Sequence, residues 1–460
     1  MKLNYKRTLL VGMAFFLISA FWQAYDAIVP LILTNHFGLP QLASGGVMSL
    51  DNVLAVFLLP FFGALSDRVD TKIGRRTPFI LGGSLAAMAS FVGLTFIDNY
   101  QLARLNALAP EGDQTALAEV AWRLTRENPL PFWGFAATLL VVLLAMATFR
   151  SPAVALMPDV TVKPLRSGAN ALINLAGTAG GILVLALGLV FSTSKALYRS
   201  YTGYAVAVTG VMLTGLFVFL ATVRERKWSA EMEAEARRLG LDEPADSPES
   251  AGGGRLSRPE LTSLLLILAS VALWYVGYNS ITSKYSVYAT SILGFDYNFT
   301  LIIAQLAAIA AYIPVGMVAS RVGRRRTVLG GILLLTAAFL LGIFIAPPVP
   351  SGFMYLVFIL AGIGWATINV NSFPMVVELA KRGDVGRYTG YYYTASMSAQ
   401  IAAPLLSGLL YDLLGMRYVF FPFGAVFVAL SFVTMFFVKH GDTTLPAKRS
   451  ALERLDAGEP

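Results

Sequence analysis

The sequence of 460 residues contains no cysteine and only two histidines. The lack of cysteine excludes disulfide bonds, thiol catalysis and cysteine-ligated metal sites. No partner set in the sequence would complete a metal site around His36 or His440, so we expect both to be solvated and without function. The sequence also shows no nucleophile–base pair and no phosphate-binding loop. It therefore predicts no enzyme, no cofactor and no metal.

Charge is also scarce, because only 13% of residues are charged, whereas 56% are hydrophobic and the mean hydropathy is +0.65. This composition excludes an ordinary soluble domain. Crossing a hydrocarbon core of about 30 Å takes roughly 20 helical residues, and twelve apolar stretches are long enough. We predict an all-α polytopic membrane protein with twelve transmembrane helices. The predicted spans are residues 8–33, 44–65, 78–97, 131–149, 169–193, 201–222, 261–289, 297–320, 327–346, 352–378, 388–411 and 417–438.

Most of the 35 Lys and Arg residues fall on the cytoplasmic side if the amino terminus is inside, as the positive-inside rule requires. We therefore predict that both termini are cytoplasmic and that the protein lies in a bacterial inner membrane. The net charge of +8 is explained by this bias together with contact with anionic lipids. It implies no nucleic-acid partner, and we expect a monomer.

Two similar glycine- and arginine-rich turns, residues 63–77 and 316–327, each separate two apolar stretches. Their repetition predicts a duplicated membrane domain of two pseudo-symmetric six-helix bundles. The predicted bundles are residues 1–222 and 261–438. A cytoplasmic linker (223–260) and a cytoplasmic tail (439–460) complete the chain.

Two connecting segments carry helical patterns of their own. The linker is expected to contain a helix followed by a flexible tether, which suits two bundles that must rock against each other. The predicted external loop, residues 98–130, has apolar residues at helical spacing. We expect a short helix on the external mouth, which either packs there or acts as a lid. The apolar residues are Leu117, Val120, Ala121 and Leu124.

A second repeat links the turns after the fourth and tenth spans. Asp159 and Glu378 occupy matching positions, and Arg166 and Arg387 are their expected partners. Exposed ion pairs contribute little, about 0–1 kcal/mol. These two pairs could still act as latches, because alternating access needs contacts that exist in only one conformation.

The six-plus-six pattern, the linker and the turn from Gly63 resemble the major facilitator superfamily over nearly the whole chain. The Ser-Asp-Arg and Gly-Arg-Arg-x-Pro pattern of residues 66–78, with residues 150–170, resembles sucrose-type and glycoside-pentoside-hexuronide:cation sugar symporters. This resemblance implies a transporter that imports a sugar or glycoside with a proton or sodium ion through alternating access. It also implies a cytoplasmic gate. The predicted gate residues are Gly63, Asp67, Arg68, Arg75, Arg150, Asp159, Arg166, Arg321, Glu378 and Arg387.

The sequence departs from that pattern in three places. Ser320 stands in the second turn where the first has Asp67. Ala55 and Leu59 replace the paired aspartates of melibiose-type sodium symporters, and residues 132–149 lack the acidic residue of sucrose-type carriers. The coupling carboxylate must therefore lie elsewhere.

A charge within a span costs at least about 2.5–3.5 kcal/mol, so it marks a functional candidate. The sequence offers Asp26, Asp51 and Lys284 for ion coupling. Asp51 is the better proton site because external water could reach it, although it could instead pair with Lys284 or form a solvated helix end. Trp22 shares a helix face with Asp26, which suits a sugar or, alternatively, a membrane interface.

Uncharged polar and aromatic residues of the spans match a neutral polyol, although any one of them could simply join helices. An exporter of drugs or lipid-like molecules and a non-transporting sensor are the alternatives. The predicted substrate-binding residues are Trp22, Gln23, Tyr25, Asp26, Asn52, Asn174, Tyr275, Tyr278, Asn279, Gln305, Trp365, Asn369, Asn371, Tyr392 and Gln400.

Overall fold

A computed structural model describes residues 3–108, 114–162, 165–195, 198–238, 256–345, 351–379 and 385–441. The elements of these ranges are helices, without a strand. The first half contains α1 (Tyr5–Leu31, extended by a π-helical segment, Ile32–His36), α2 (Gln41–Arg68), α3 (Thr77–Leu108), α4 (Gln114–Glu127), α5 (Leu130–Asp159), α6 (Arg166–Val190), α7 (Thr202–Thr222) and α8 (Glu225–Arg238). The second half contains α9 (Arg258–Thr282), α10 (Tyr285–Val287, extended by Tyr288–Leu293), α11 (Tyr297–Val322), α12 (Arg324–Ile343), α13 (Ser351–Glu378), α14 (Val385–Leu414) and α15 (Met416–Phe436).

The predicted spans are present as helices. Within the described residues, eleven helical stretches are long and apolar enough to cross a membrane. A shorter apolar stretch, Tyr297–Tyr312, belongs to α11, which is itself 26 residues long. The twelve spans are therefore α1–α3, α5–α7, α9 with α10, and α11–α15. The structure corrects one boundary, because α3 continues to Leu108 rather than ending near residue 97.

Equivalent helices pack together in the two halves, which gives the predicted pair of six-helix bundles. In the first half α3 packs on α5 and α1 on α6 and α7; in the second, α12 packs on α13 and α9 on α14 and α15. Small residues allow the closest approaches, as membrane helix packing requires. A Cβ on Gly180 of α6 would lie 2.6 Å from the Phe16 carbonyl oxygen of α1. The bundles meet along α2 with α14, α6 with α11, and α1 with α10.

The two repeated turns each contain a glycine with a positive φ angle. Gly74 and Gly323 have φ angles of 122° and 94°, a region that disfavours residues with a Cβ. Each glycine reverses the chain immediately before a new helix, α3 or α12. Both turns lie on one face of the protein, called here the turn face, which also carries α8.

The other face, called here the opposite face, carries α4. Leu117, Ala121 and Leu124 of α4 are buried together with Leu105 of α3, so the helix predicted within residues 98–130 is present as a packed element, while its external location stays a prediction. On the turn face, α8 supplies the helix predicted at the start of the linker. The expected tether and most of the tail lie outside the described residues, and the domain boundaries stay predictions.

Candidate functional site

A cavity of about 190 Å³ lies between the two bundles. Both bundles contribute to its wall, and most of the lining side chains are polar. The first bundle supplies Trp22, Asp26, Met48, Asp51, Asn52 and Arg150. The second bundle supplies Asn279, Thr282, Ser283, Gln400 and Pro404.

Three of the lining residues carry ionisable groups. Asp26 is exposed to the cavity, and its carboxylate has no hydrogen bond among the described residues. Asp51 Oδ1 accepts a hydrogen bond from Asn52 Nδ2 at 2.7 Å. The Arg150 guanidinium lies 5.5 Å from the Trp22 ring centroid and interacts electrostatically with Asp51. The two carboxylates and the guanidinium therefore share one polar compartment.

Arg150 requires a correction, because the sequence placed it in the cytoplasmic gate. The predicted fourth span ended at residue 149, because Arg150 is the first charged residue after the apolar stretch. In the structure α5 continues to Asp159, so Arg150 lies more than two helical turns inside the helix and faces the cavity. Hydration by the cavity lowers the cost of a charge at this depth.

The cavity brings together only part of the predicted substrate-binding set: Trp22, Asp26, Asn52, Asn279 and Gln400. The sequence did not single out Met48, Thr282, Ser283 or Pro404. These residue types are common in packed helices, so nothing in the pattern distinguishes them. Their position follows from how α2, α9 and α14 meet.

Several other predicted residues have partners away from the cavity. Asn174 and Asn371 donate to the carbonyls of Asn170 and Thr367 in their own helices. Tyr25 is buried, with 1% of its surface exposed. Asn371 and Tyr25 are thus buried away from the cavity in this conformation, whereas Asn174 is exposed, and a substrate-binding role for these residues stays a prediction.

Aromatic and amide contacts in the second bundle account for most of the remainder. Tyr278 stacks on Trp365 with ring centroids 6.1 Å apart. Gln305 Nε2 donates to Gln23 Oε1 at 2.8 Å and so joins the bundles near mid-helix. Tyr392 is hydrogen-bonded to Ser372. Tyr275 packs on Trp274, and Asn369 is partly buried.

Lys284 does not pair with either cavity aspartate. It is fully buried, and its Nζ donates to Ser44 Oγ at 2.6 Å. The acidic residue that interacts electrostatically with Lys284 is Asp412 of α14. The alternative in which Asp51 pairs with Lys284 is therefore not seen in this conformation, because Lys284 lies between α9 and α10 and bonds to Ser44 of α2 instead.

The opposite face is closed by contacts between the bundles. The Asp412 carboxylate accepts hydrogen bonds from the backbone N–H groups of Gln41 and Leu42, at 2.7 and 2.8 Å, which caps the amino terminus of α2. Gly45 of α2 packs directly against the Pro404 carbonyl. These contacts seal the cavity from this side.

A second set of contacts seals the same face between α6 and α11. Thr193 shares a hydrogen bond of 2.6 Å with the hydroxyl of Tyr297. Ser194 Oγ donates to Asp296 Oδ2 at 2.7 Å. The closure therefore spans two of the three contact lines between the bundles, α2 with α14 and α6 with α11.

On the turn face, Arg76 occupies the position that was predicted for Arg75 in the gate. Arg76 pairs with Asp67 at 2.5 Å and with Asp159 at 2.8 Å, and its Nη1 donates to the Gly63 carbonyl at 3.4 Å. Burial disfavours the charged guanidinium, but the two carboxylates outweigh it and raise the pKa of Arg76 above its usual value. Asp159 thus pairs with Arg76. The side chain of Arg166 lies outside the described residues, so its predicted pairing with Asp159 stays a prediction.

Glu225, at the start of α8, binds the backbone of the same turn. Its carboxylate accepts hydrogen bonds from the backbone N–H groups of Arg75, Arg76 and Thr77 at 2.7 to 2.8 Å. A carboxylate at a helix amino terminus is favourable for both hydrogen bonding and the helix dipole. Glu225 was not predicted, because nothing in the local pattern distinguishes it from the other charged residues of the linker.

The second turn has an equivalent contact, in which Glu378 at the end of α13 pairs with Arg324. This pair matches Asp159 with Arg76 in the first half. Arg387 lies in α14 with its side chain outside the described residues, so its predicted pairing stays a prediction. Arg68 and Arg321 are exposed at the ends of α2 and α11.

His36 is the clearest error among the predictions. It was expected to be solvated, yet it is fully buried and its Nδ1 lies 2.6 Å from Asp98 Oδ1. The π-helical extension of α1 and the added length of α3 bring the two residues together. His440 lies near Ser263, at 3.0 Å. No group of three or more His, Cys, Asp or Glu in the described chain could hold a metal ion.

Two six-helix bundles around a polar cavity, with matching glycine-arginine turns, indicate a particular family. The model of the Major Facilitator Superfamily matches residues 11–308 and 294–456. The chain belongs to this superfamily. A search of curated proteins found no significant relative.

Solved structures of superfamily transporters are similar to this chain in fold. The inward-open xylose transporter XylE from E. coli is 14% identical, with 99% of this chain and 100% of that chain covered and a TM-score of 0.66. A D-xylose-proton symporter is 15% identical (96% and 100%; TM-score 0.63), and the nucleoside transporter NupG is 13% identical (94% and 100%; TM-score 0.57). The protein is thus a multi-pass membrane transporter rather than an enzyme.

Proposed function

We propose that the protein imports a sugar or glycoside by symport with a cation, the cation being a proton. The observation that carries this proposal is the cavity between the bundles. It combines an aromatic ring (Trp22), amides (Asn52, Asn279 and Gln400) and two carboxylates. An aromatic ring can cover the apolar face of a sugar, while amides and carboxylates bind its hydroxyl groups.

The cavity carboxylates, Asp26 and Asp51, are the proposed sites of the coupled proton. Both face the cavity, where water and substrate reach them together. A carboxylate whose proton affinity differs between the outward and inward states couples the proton to the substrate. One proton moving down the membrane potential releases about 2.3 kcal/mol per 100 mV, which is enough to concentrate a neutral solute.

In this proposal the turn face is cytoplasmic and the membrane is a bacterial inner membrane, as the Lys and Arg bias favours. The conformation then has its external side closed. The Arg76–Asp67–Asp159 cluster and the Arg324–Glu378 pair lie on the cytoplasmic side, where they can form and break between states. The carrier acts as a monomer surrounded by lipid.

The cavity lining argues against an exporter of drugs or lipid-like molecules. Such a site needs an extensive apolar wall, whereas this wall is mostly polar and contains three ionisable groups. A sensor without transport activity would not need carboxylates that contact both the solvent and the substrate. Neither alternative therefore explains Asp26 and Asp51.

Uptake measured in proteoliposomes tests the proposal. Radiolabelled sugars and glycosides should accumulate when the outside is acidic, and accumulation should stop when the pH gradient is collapsed. Asp51→Asn should keep substrate exchange but abolish accumulation, because the variant can no longer change its protonation. Accumulation that follows a sodium gradient and ignores the pH gradient would overturn the proton assignment.

A further inference from the structure

Arg150 has no role in the binding of a neutral sugar as described so far. Its side chain lines the cavity, yet the described residues offer its guanidinium no hydrogen bond and no ion pair. Trp22 covers the group at 5.5 Å. Tyr393 and Asp51 influence it only electrostatically. The planar group is therefore held by an aromatic ring, and its N–H donors remain available to a ligand.

The neighbouring carboxylates do not occupy these donors. Asp51 accepts a hydrogen bond from Asn52, and Asp26 presents its carboxylate to the cavity. A guanidinium binds planar or tetrahedral oxyanions in a bidentate way that neutral hydroxyls cannot match. We infer that the substrate is a polyol that carries one negatively charged oxyanion group, which Arg150 binds.

This inference rests on the proposed symport and explains its coupling. An unbalanced charge in a buried cavity is costly. The empty cavity is neutral when Arg150 and Asp51, which interact electrostatically, are charged and Asp26 holds a proton. Binding of a monoanion adds one negative charge, and neutrality returns when the charged carboxylate takes up a proton. The proton and the monoanion then cross together without net charge, so the pH gradient and not the membrane potential drives their accumulation. A neutral sugar would bring no such demand for a proton.

The experiment uses the full-length purified protein in detergent and three probes. The probes are a hexuronate, its uncharged hexuronamide and a hexose phosphate. Binding is measured by calorimetry, and the protons taken up are measured in buffers of different ionisation enthalpy. We expect at least one of the two anions to bind with uptake of about one proton, and the amide to bind at least tenfold more weakly. The preferred anion distinguishes a carboxylate from a phosphate.

Arg150→Gln should weaken binding of that anion by about tenfold to a hundredfold, as expected for lost hydrogen bonds to a charged group. Arg150→Lys keeps the charge but loses the bidentate geometry, so its affinity for that anion should lie between those of the wild type and Arg150→Gln. Arg226→Gln, at an exposed arginine of α8 on the turn face, is the control. It should bind as the wild type does.

Two outcomes overturn the inference in distinguishable ways. Equal binding of neutral and anionic sugars that survives Arg150→Gln would refute the oxyanion role and leave sugar symport standing. If neither hexoses nor their anionic forms bind or exchange, the proposed function fails and this inference fails with it.

Discussion

Lys284 Nζ lies 2.6 Å from Ser44 Oγ, and this hydrogen bond joins the two bundles at a fully buried point. Asp412 lies beside it and caps the amino terminus of α2. Lys284 and Asp412 both belong to the second bundle, whereas their partners belong to the first. The proposed alternating access would separate these partners, so we expect the two contacts to form a latch that stabilises only the state closed on the opposite face.

We predict that Asp412→Ala opens the opposite face. The variant removes two hydrogen bonds to the end of α2, and loss of a helix cap costs about 0.5–2 kcal/mol. A change of about 1 kcal/mol shifts a two-state population about fivefold. Because the chain has no cysteine, a single Thr282→Cys reports on the cavity. In Asp412→Ala, labelling of this cysteine by an impermeant maleimide from the opposite face should rise about fivefold.

Asp70→Ala is the matched control, since Asp70 is an exposed acid on the turn face. It should leave labelling of Thr282→Cys unchanged. Equal labelling in Asp412→Ala and the wild type would show that the cap does not favour the closed state.

Two adjacent glycines of α2 allow a sharper test of the same closure. A Cβ on Gly45 would lie 2.3 Å from the Pro404 carbonyl oxygen, whereas a Cβ on Gly46 would meet only Leu405 at 3.6 Å. Both alanine variants gain similar helix propensity, about 0.5–1 kcal/mol. Gly45→Ala should therefore push the bundles apart and increase labelling from the opposite face, while Gly46→Ala should not.

Transport rates provide the second measurement for this pair. Gly45→Ala should slow exchange, because the state closed on the opposite face is part of the cycle. Similar labelling and exchange in the two variants would mean that the helices shift without cost, contrary to the close packing of α2 and α14.

Arg76 allows a prediction about the turn face. Its guanidinium is 6% exposed and pairs with Asp67 and Asp159. Arg76→Gln should lower stability by about 1–3 kcal/mol, because Asp159 is left with a partly buried charge and no partner. Asp67 contributes less because 59% of its side chain is exposed. The melting temperature in detergent should fall in Arg76→Gln and stay near the wild-type value in Arg75→Gln.

The sequence predicted the twelve spans and the duplicated turn because both are local properties. Hydropathy marks a span, and a glycine before an arginine pair marks the reversal at Gly74 or Gly323. The partners of the turn were not predictable in this way. Arg75 and Arg76 are adjacent residues of the same type just before α3, and only the position of Asp159 decides which of them is buried.

The candidate site was harder to predict for a related reason. Asp26 and Asp51 stood out as charges within apolar stretches, and both line the cavity. Arg150 was assigned to a span end, because the sequence does not show that a hydrated cavity surrounds it. Lys284 was recognised as unusual, but its partner Ser44 is an ordinary residue of a distant helix. Pairing between the bundles depends on their docking, which the local pattern does not encode.

The buried pair of His36 and Asp98 yields the last prediction. The pair lies beneath α4, where Gln101 Nε2 donates to the His36 carbonyl at 3.3 Å and to Thr125 Oγ1 of α4 at the same distance. Thr125 in turn donates to the Phe37 carbonyl at 2.9 Å. The pair therefore belongs to one hydrogen-bonded cluster that joins α1, α3 and α4, so a change at Asp98 should be felt across all three helices.

Asp98→Ala removes the acceptor of the His36 ring, and an unsatisfied buried group costs about 1–3 kcal/mol. Asp98→Asn keeps an oxygen that can accept the same hydrogen bond, so its melting temperature should lie between those of Asp98→Ala and the wild type. Limited proteolysis measures whether α4 loosens as well, and cleavage within Gln114–Glu127 should be fastest in Asp98→Ala. If Asp98→Ala melts as the wild type does, the pair fills space without holding α4. If it melts earlier but α4 stays resistant, the pair stabilises only α1 against α3, because the contacts of Leu117, Ala121 and Leu124 with Leu105 then suffice to keep α4 in place.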